Sequence, residues 1–184
     1  LIKIDFNGVL IQIIESNNEK VIGQVITGGV IGNNKGISVD QDLTLASFTE
    51  KDNQMIELSK DMGLDIFYLS FCSNGDDVKE MRNRFDYDIR IISKVESKKG
   101  LYNLESICKE SDAVLIDRGD LSRDVPLEKI PFAQKYILDE AKSRNTHVYV
   151  ATNLMENMIN NSKPTRAEVN DIRATLNDGA DGLV

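Results

Sequence analysis

Short apolar runs alternate with helical stretches through residues 63–184 of this 184-residue chain, and this alternation constrains its fold more than any other feature. The runs are apolar on both faces, as parallel strands covered by helices are. They lie at residues 66–70, 90–95, 113–117, 148–151 and 182–184. Helices are predicted at residues 49–62, 73–85, 100–110, 131–144 and 164–177, the first with a capping box and the second capped by Ser73. Repeated βα units predict either an eight-stranded barrel or an open doubly wound sheet.

Two observations favour the barrel. No glycine-rich phosphate loop follows any of the predicted strands, so a dinucleotide site lacks its fingerprint. Polar residues also recur where successive strands end, and a barrel gathers such ends around one axis. These residues are Ser70, Lys94, Glu96, residues 117–120 and Thr152. Closure needs eight strands and this pattern provides five, so either the chain is part of a longer barrel or the missing strands come from elsewhere.

Residues 1–39 have a different pattern, that of a small antiparallel β element rich in β-branched side chains. Strands are predicted at residues 1–5, 9–15 and 20–26, and turns at residues 6–8, 16–19, 27–29 and 32–36. Residues 40–48 are predicted to be a linker. The chain is therefore expected to consist of a β element followed by the βα region.

The charge and the rare residues exclude several kinds of site. A net charge of −8 argues against non-specific nucleic-acid binding, which needs a basic face. No apolar run approaches the roughly 20 residues of a membrane helix. Cys72 and Cys108 have no metal-ligand spacing and are predicted to be free, buried thiols in a reducing cytoplasm. The single histidine, His147, cannot supply a histidine-based zinc site and is predicted to be structural.

One ammonium and two carboxylates are predicted to meet at the mouth of the barrel. Lys94 and Glu96 are two residues apart at the end of one strand, so their side chains point the same way. Asp120 lies three residues beyond the next strand. Two such carboxylates form a hard oxygen site for a divalent cation, and a neighbouring lysine stabilises charge on a phosphoryl group or an enolate oxygen. A strand-end salt bridge and an Asp-capped turn are the alternative interpretations of the same residues.

Further groups near this site could bind a substrate. The amides of Gly119 and Asp120, at a short helix start, could bind a carboxylate or a phosphate. The hydroxyl of Thr152 could donate to a substrate oxygen or relay a proton, and it could equally cap a short helix over residues 154–158.

Two groups of apolar residues are predicted to lie in the core. The helix at residues 131–144 is expected to bury one stripe of side chains. This stripe consists of Phe132, Tyr136, Ile137 and Ala141. Met155 and Met158 are also predicted to be core residues.

Taken in order, the motifs resemble those of the pyruvate kinase family. The resemblance is carried by SKVE (93–96), RGDL (118–121), ATNLMENM (151–158) and PTRAEV (164–169), and upstream by GNNKG (32–36), TEKD (49–52) and LSF (69–71). Order and spacing agree over nearly the whole chain, and the motifs are specific in combination.

The resemblance implies an α/β protein formed by part of a (β/α)8 TIM-type barrel with part of a small inserted all-β domain. Residues 1–39 would be the C-terminal part of the inserted β-barrel cap domain, and residues 40–184 the central portion of the catalytic barrel. It further implies a magnesium-dependent transferase of glycolysis in the cytoplasm, which moves a phosphoryl group from phosphoenolpyruvate to ADP and gives pyruvate and ATP. A homotetramer is implied, with no nucleic acid and no membrane as partners.

The same resemblance implies a role for each candidate residue. Lys94 matches the lysine that stabilises the transferring phosphoryl group, and Glu96 and Asp120 match the ligands of the catalytic Mg²⁺ or Mn²⁺. Gly119 and Asp120 match the backbone that holds the carboxylate of phosphoenolpyruvate or pyruvate. Thr152 matches the threonine near the substrate. Any K⁺ would be bound through residues outside this chain.

Several positions depart from the family pattern. Asp117 stands where the family usually has a small apolar residue, Ser122 where it has glycine, and Arg123 where it has an apolar residue. Asp117 adds a negative charge that is expected to raise a carboxylate pKa or to alter metal preference. The alternatives are a metal-dependent lyase or aldolase acting through a pyruvate enolate and a non-catalytic homologue. Retention of the lysine, the metal pair and the threonine together argues against the last.

Both ends of the chain lie inside strand-like runs, and Leu1 is not a methionine. We therefore expect the sequence to be cut at both ends, so that its lack of a targeting segment is uninformative. In the family the early barrel strands supply the monovalent-cation ligands and a phosphate-binding arginine, and these strands precede Leu1. The 184 residues alone are expected to have little or no transferase activity.

Overall fold

The computed structural model describes residues 1–33, 35–41 and 45–184, apart from the side chains of Phe6 and Asn7. The chain divides into two compact units, residues 1–45 and 46–184. Asn34, in the turn predicted at residues 32–36, lies outside the described residues. So do residues 42–44 of the predicted linker.

The described part of the first unit contains an antiparallel sheet. Its strands are β1 (Ile2–Ile4), β2 (Val9–Ser16), β3 (Val21–Thr27) and β4 (Ile37–Val39), in the order β3-β2-β1-β4. The predicted hairpin between β2 and β3 is present, and the side chain of Asn17 accepts hydrogen bonds from the amides of Glu19 and Lys20 at 2.9 and 3.0 Å. The segment predicted as a turn at residues 6–8 belongs instead to a single helical turn, α1 (Asp5–Gly8).

Every residue of the second unit is described, and its five strands form one parallel sheet. These are β5 (Ile66–Leu69), β6 (Arg90–Val95), β7 (Ala113–Asp117), β8 (His147–Ala151) and β9 (Gly182–Leu183). Their order in the sheet is their order in the chain. A doubly wound sheet reverses its strand order at a switch point, whereas a barrel adds each strand beside the last. The strand order therefore confirms the barrel.

Helices connect these strands. They are α2 (Glu50–Asp61), α3 (Gly75–Arg82), α4 (Lys98–Tyr102), α5 (Leu104–Glu110), α6 (Arg118–Leu121), α7 (Ile130–Ser143) and α8 (Arg166–Asn177), with short 3-10 segments at Leu127–Lys129 and Glu156–Ile159. The capping box predicted at α2 is confirmed. Asn74, rather than Ser73, caps α3 and forms a capping box with Asp77. The helix predicted at residues 100–110 is divided into α4 and α5 at Asn103.

The core of the second unit is formed by side chains from the parallel sheet and its helices. Its largest fully buried apolar side chains are Ile91, Leu104, Ile107, Ile116, Leu121, Ile137 and Leu138. Two predictions for the core were wrong. Phe132 and Tyr136 are 77% and 52% exposed. Ile137 and Ala141 of the same predicted stripe are buried, but α7 buries Ile130 and Gln134 beside them in place of the two aromatic residues. Met155 and Met158 are 41% and 40% exposed, in a short irregular segment whose sequence is too brief to show a period.

His147 opens β8, and its ring Nδ1 lies 3.1 Å from Oδ1 of Asp181. None of the helices in the described ranges is both long enough and apolar enough to cross a membrane.

Both cysteines are free and buried, as predicted, and this gives a first testable expectation. Burial raises the pKa of Cys72 and of Cys108 to about 11. Neither thiol should react with Ellman's reagent at pH 8 until denaturant is added. Above the ordinary pKa of 9.0 the unfolded chain releases protons that the folded chain keeps, so the free energy of unfolding should fall as pH rises from there toward about 11. Rapid labelling of the folded chain would contradict this expectation.

A second expectation concerns the contact between α3 and α5. A Cβ atom on Gly75 would lie 2.5 Å from the backbone oxygen of Ser106, closer than two such atoms can approach. Gly75→Ala should therefore lower the free energy of unfolding by roughly 1–3 kcal/mol, measured by urea denaturation. Gly28→Ala is the control, since no heavy atom lies within 4 Å of its Cβ position. Equal stability of the two variants would show that α3 and α5 can separate without cost.

Candidate active site

Lys94 lies between two carboxylates at the carboxyl ends of β6 and β7. It is the next-to-last residue of β6, Glu96 follows that strand directly, and Asp117 is the last residue of β7. The Nζ atom of Lys94 lies 2.6 Å from Oε1 of Glu96 and 3.2 Å from Oδ2 of Asp117. The side chain of Glu96 is fully buried, whereas that of Lys94 keeps 20% of its surface exposed. Lys94 thus neutralises a buried carboxylate while remaining accessible.

Asp120 completes a cluster of three carboxylates. One oxygen each from Glu96, Asp117 and Asp120 can be chosen so that all lie within 4.8 Å of one another. Asp120 sits in the single turn of α6, where its amide donates to Oδ1 of Asp117 at 3.3 Å. On its other side Oδ1 of Asp120 lies 2.6 Å from Nη2 of Arg123. The structure therefore brings together the predicted Lys94, Glu96 and Asp120 and places Asp117 among them.

A backbone amide that sequence reasoning did not single out holds Glu96 in place. The amide of Phe71 donates to Oε2 of Glu96 at 2.5 Å. Phe71 has a φ of 50°, an uncommon conformation for a bulky residue. Such conformations persist where surrounding structure imposes them, often at functional sites. A side-chain pattern carries no sign of this amide, and the available signals were the position of Phe71 just after β5 and its place in the LSF motif (69–71).

Gly119 and Thr152 are also brought together. The amide of Gly119 donates to Oγ1 of Thr152 at 3.0 Å. The Thr152 hydroxyl lies 2.6 Å from the backbone oxygen of Ala151 and 3.4 Å from Oδ1 of Asp117, so its proton can go to either acceptor. Thr152 caps no helix over residues 154–158, since the 3-10 segment begins only at Glu156. The amides of Gly119 and Asp120 are thus both engaged by neighbouring side chains.

Arg118 fixes the backbone at this edge of the sheet. Its Nε and Nη2 atoms donate to the carbonyl oxygen of Thr152 at 3.2 and 2.8 Å. Its Nη1 atom lies 3.0 and 2.8 Å from the two carboxylate oxygens of Asp171 in α8. Thr152 and Asn153 both have left-handed backbone conformations, with φ of 69° and 56°. The guanidinium therefore joins the end of β8 to α8 and holds the strained turn.

Burial and neighbouring charges set the protonation of Lys94 and Glu96. Burial raises the pKa of Glu96, and the charge of Asp120 adds to this, although Lys94 and the Phe71 amide oppose it. Burial alone would lower the pKa of Lys94, but Glu96 and Asp117 outweigh it and the net pKa is raised. Lys94 is therefore an ammonium at neutral pH.

The donor set fits a divalent cation. Within the described part of the chain, Oε1 of Glu96 has no hydrogen-bond donor at good geometry, and its contact with Lys94 is an ion pair. It is a buried oxygen that faces two further carboxylates. Hard oxygen donors are what Mg²⁺ and Mn²⁺ prefer. A cation held by this cluster would give Glu96 Oε1 a second partner beside the Lys94 ammonium.

The fold and the site define a class of protein. Parallel strands in chain order, with ionisable side chains collected where they end, form part of a (β/α)8 barrel, and in enzymes with this fold the active site lies at the carboxyl ends of the strands. The antiparallel sheet of residues 1–45 is the small β part that accompanies it.

Comparison with known proteins identifies the family. The family described as "Pyruvate kinase, barrel domain" matches residues 1–184, and the chain belongs to the pyruvate kinase family. The chain is 39% identical over 180 residues to a pyruvate kinase of Thermotoga maritima, covering 96% of this chain and 39% of that protein. It is 37% identical over 180 residues to that of Methanocaldococcus jannaschii, covering 96% and 40%. It is 35% identical over 185 residues to that of Mycobacterium tuberculosis, covering 98% and 39%. The chain thus spans about two-fifths of the length of these relatives.

Proposed function

We propose that this chain carries part of the active site of a phosphotransferase that moves a phosphoryl group from phosphoenolpyruvate to ADP, giving pyruvate and ATP. The observation that carries the proposal is the convergence of the Lys94 ammonium with the carboxylates of Glu96 and Asp120. Its relatives, each named pyruvate kinase, support the choice of reaction. We propose that the protein acts in glycolysis in the cytoplasm.

In this proposal Glu96 and Asp120 hold Mg²⁺ or Mn²⁺. A bound divalent cation neutralises charge on phosphoryl oxygens during transfer. Lys94 acts as the electrophile, because its ammonium is exposed enough to contact a phosphoryl oxygen and is kept charged by its carboxylate neighbours. Phe71 orients Glu96 by holding Oε2, which leaves Oε1 directed at the site.

The substrate carboxylate is held by the backbone of Gly119 and Asp120. Both amides already have acceptors, the Thr152 hydroxyl and the Asp117 carboxylate. A bound carboxylate therefore replaces these acceptors rather than filling open positions. The exchange releases the hydroxyl of Thr152 beside the substrate, where it relays a proton to the enolate that phosphoryl transfer leaves behind.

The remaining components come from outside these 184 residues. The proposal places residues 1–39 in the inserted cap domain and residues 40–184 in the middle of the catalytic barrel. K⁺, where it is used, is bound by residues outside this chain, and the assembly is a homotetramer. Because the chain spans only about two-fifths of the relatives' length, we expect the 184 residues alone to have little or no transferase activity.

The test is a coupled assay for pyruvate on the complete gene product, with phosphoenolpyruvate and Mg²⁺, in the presence and absence of ADP. Pyruvate release that requires ADP and produces ATP in equal amount is the expected result. Equal release without ADP would instead identify the metal-dependent lyase or aldolase, in which the same cation and ammonium stabilise a pyruvate enolate. No release under either condition would favour a non-catalytic homologue.

A further inference from the structure

The third carboxylate of the cluster, Asp117, has been assigned no contact with the cation, although it helps to keep Lys94 charged and lies between Lys94 and Asp120. Strands β6 and β7 pair with Val95 opposite Ile116, so Glu96 and Asp117 leave their strands side by side. Asp117 is 8% exposed, and its carboxylate is the last group of β7 before the chain turns into α6. The backbone register therefore fixes its position beside Glu96.

The two oxygens of Asp117 have separate environments. Oδ1 faces the chain itself, where it accepts from the amide of Asp120 and lies near the Thr152 hydroxyl. Oδ2 faces the cluster, at 3.2 Å from the ammonium of Lys94. Capping of α6 thus uses only Oδ1, and Oδ2 contacts the same ammonium that pairs with Glu96.

The three carboxylates of the cluster carry more negative charge than their cationic contacts, Lys94 and Arg123, neutralise. Three carboxylates lie within 4.8 Å of one another, and Lys94 is shared between two of them. Arg123 contacts Asp120 on its Oδ1 atom. Like charges at such separations repel strongly where water is excluded. A divalent cation among the three oxygens relieves this repulsion. The buried Oε1 of Glu96 also favours a cation here, because its 2.6 Å ion pair with Lys94 lacks hydrogen-bond geometry and no other donor among the described residues reaches it.

We propose that Asp117 is a third carboxylate ligand of the divalent cation, binding through Oδ2 together with Glu96 and Asp120. The inference rests on the proposed function, since it concerns the same cation. It assigns Asp117 direct contact with the ion rather than a purely structural role as the cap of α6. Lys94 then keeps its charge beside the ion without serving as the sole counter-ion of Asp117.

The first test measures Mn²⁺ binding to the complete gene product by titration calorimetry, without any substrate. Asp117→Asn keeps the capping oxygen and removes the charge, and we expect it to weaken Mn²⁺ affinity by at least the roughly 10–100-fold that loss of an outer-shell partner costs. Asp124→Asn is the matched control. It removes the same charge from the nearby loop, where Asp124 accepts from the amide of Lys98 and lies outside the cluster. The Mn²⁺ affinity of Asp124→Asn should stay close to that of the unmodified protein.

A second test detects the bond to the ion directly. A thiol that ligates a soft cation is deprotonated and gives a thiolate-to-metal charge-transfer band. Asp117→Cys should therefore show such a band in the ultraviolet when Cd²⁺ is added, whereas Asp124→Cys and the unmodified protein should not. Cys72 and Cys108 are buried and contribute equally to all three samples.

The outcomes separate this inference from the proposed function. If the unmodified protein binds no Mn²⁺, both the proposed cation site and the role of Asp117 fail. If it binds Mn²⁺ and Asp117→Asn binds equally well, only the role of Asp117 fails. Absence of the Cd²⁺ band from a folded Asp117→Cys protein, judged by circular dichroism, would also overturn direct ligation. Weakened Mn²⁺ binding together with the Cd²⁺ band supports it.

Discussion

Lys94→Met should lower the turnover of phosphoenolpyruvate by the complete gene product about 1,000-fold or more, since one electrostatic group aimed at a transferring phosphoryl group contributes on this scale. Methionine preserves the length and packing of the side chain and removes the charge that lies between Glu96 and Asp117. The loss should appear in kcat, because the ammonium acts most strongly on charge that develops during transfer.

The same substitution has a second consequence that a misfolded protein would not show. Without the ammonium, two acidic groups lose their shared counter-ion, so Mn²⁺ should bind the variant at least as tightly as it binds the unmodified protein. Lys99→Met, at an exposed position in α4, serves as the control and should leave turnover and binding unchanged. A Lys94→Met protein that binds Mn²⁺ and retains activity within about tenfold would refute the role of Lys94 as electrophile.

Arg118→Lys should destabilise the barrel unit and also impair catalysis. A lysine ammonium cannot reproduce the planar fork that contacts both the Thr152 carbonyl and the Asp171 carboxylate. Breaking a fully buried ion pair costs roughly 3–5 kcal/mol. The Asp171 side chain is 38% exposed, so solvent screening reduces this and we expect a loss of about 2 kcal/mol in the free energy of unfolding.

Urea denaturation of the variant measures this loss. Because the turn at Thr152 would relax, turnover of the remaining folded protein should also fall about 10–100-fold, the scale of a displacement near 1 Å. Arg173→Lys in α8 is the matched control, since the contact of Arg173 with the side chain of Asn170 is long, at 3.4 Å, and stays within the same helix. If Arg118→Lys and Arg173→Lys were equally stable and equally active, Arg118 would not be holding the site.

The strands were predictable because a strand that is buried on both faces appears in the sequence as a short, continuous apolar run. The predicted runs at residues 90–95 and 113–117 coincide with β6 and β7, and the others differ by one residue at an end. Helix faces were less predictable. The helical period fixes the spacing of a stripe and leaves open which stripe meets the sheet, so Phe132 and Tyr136 were placed on the wrong side of α7.

The candidate site was also predictable only in part. The meeting of Lys94, Glu96 and Asp120 followed from the rule that parallel strands end at one edge. The Phe71 amide on Glu96 and the internal acceptors of the Gly119 and Asp120 amides did not follow, because backbone groups have the same composition everywhere and only conformation aims them.

What the sequence determined by itself was where the strands lie along the chain and which chemical groups stand at their ends, since both depend on local patterns of burial and charge. Only the tertiary structure decided how those groups share their partners. Lys94 is divided between Glu96 and Asp117, and Arg118 joins β8 to α8, because residues from separate strands and helices meet there at distances that no local pattern encodes.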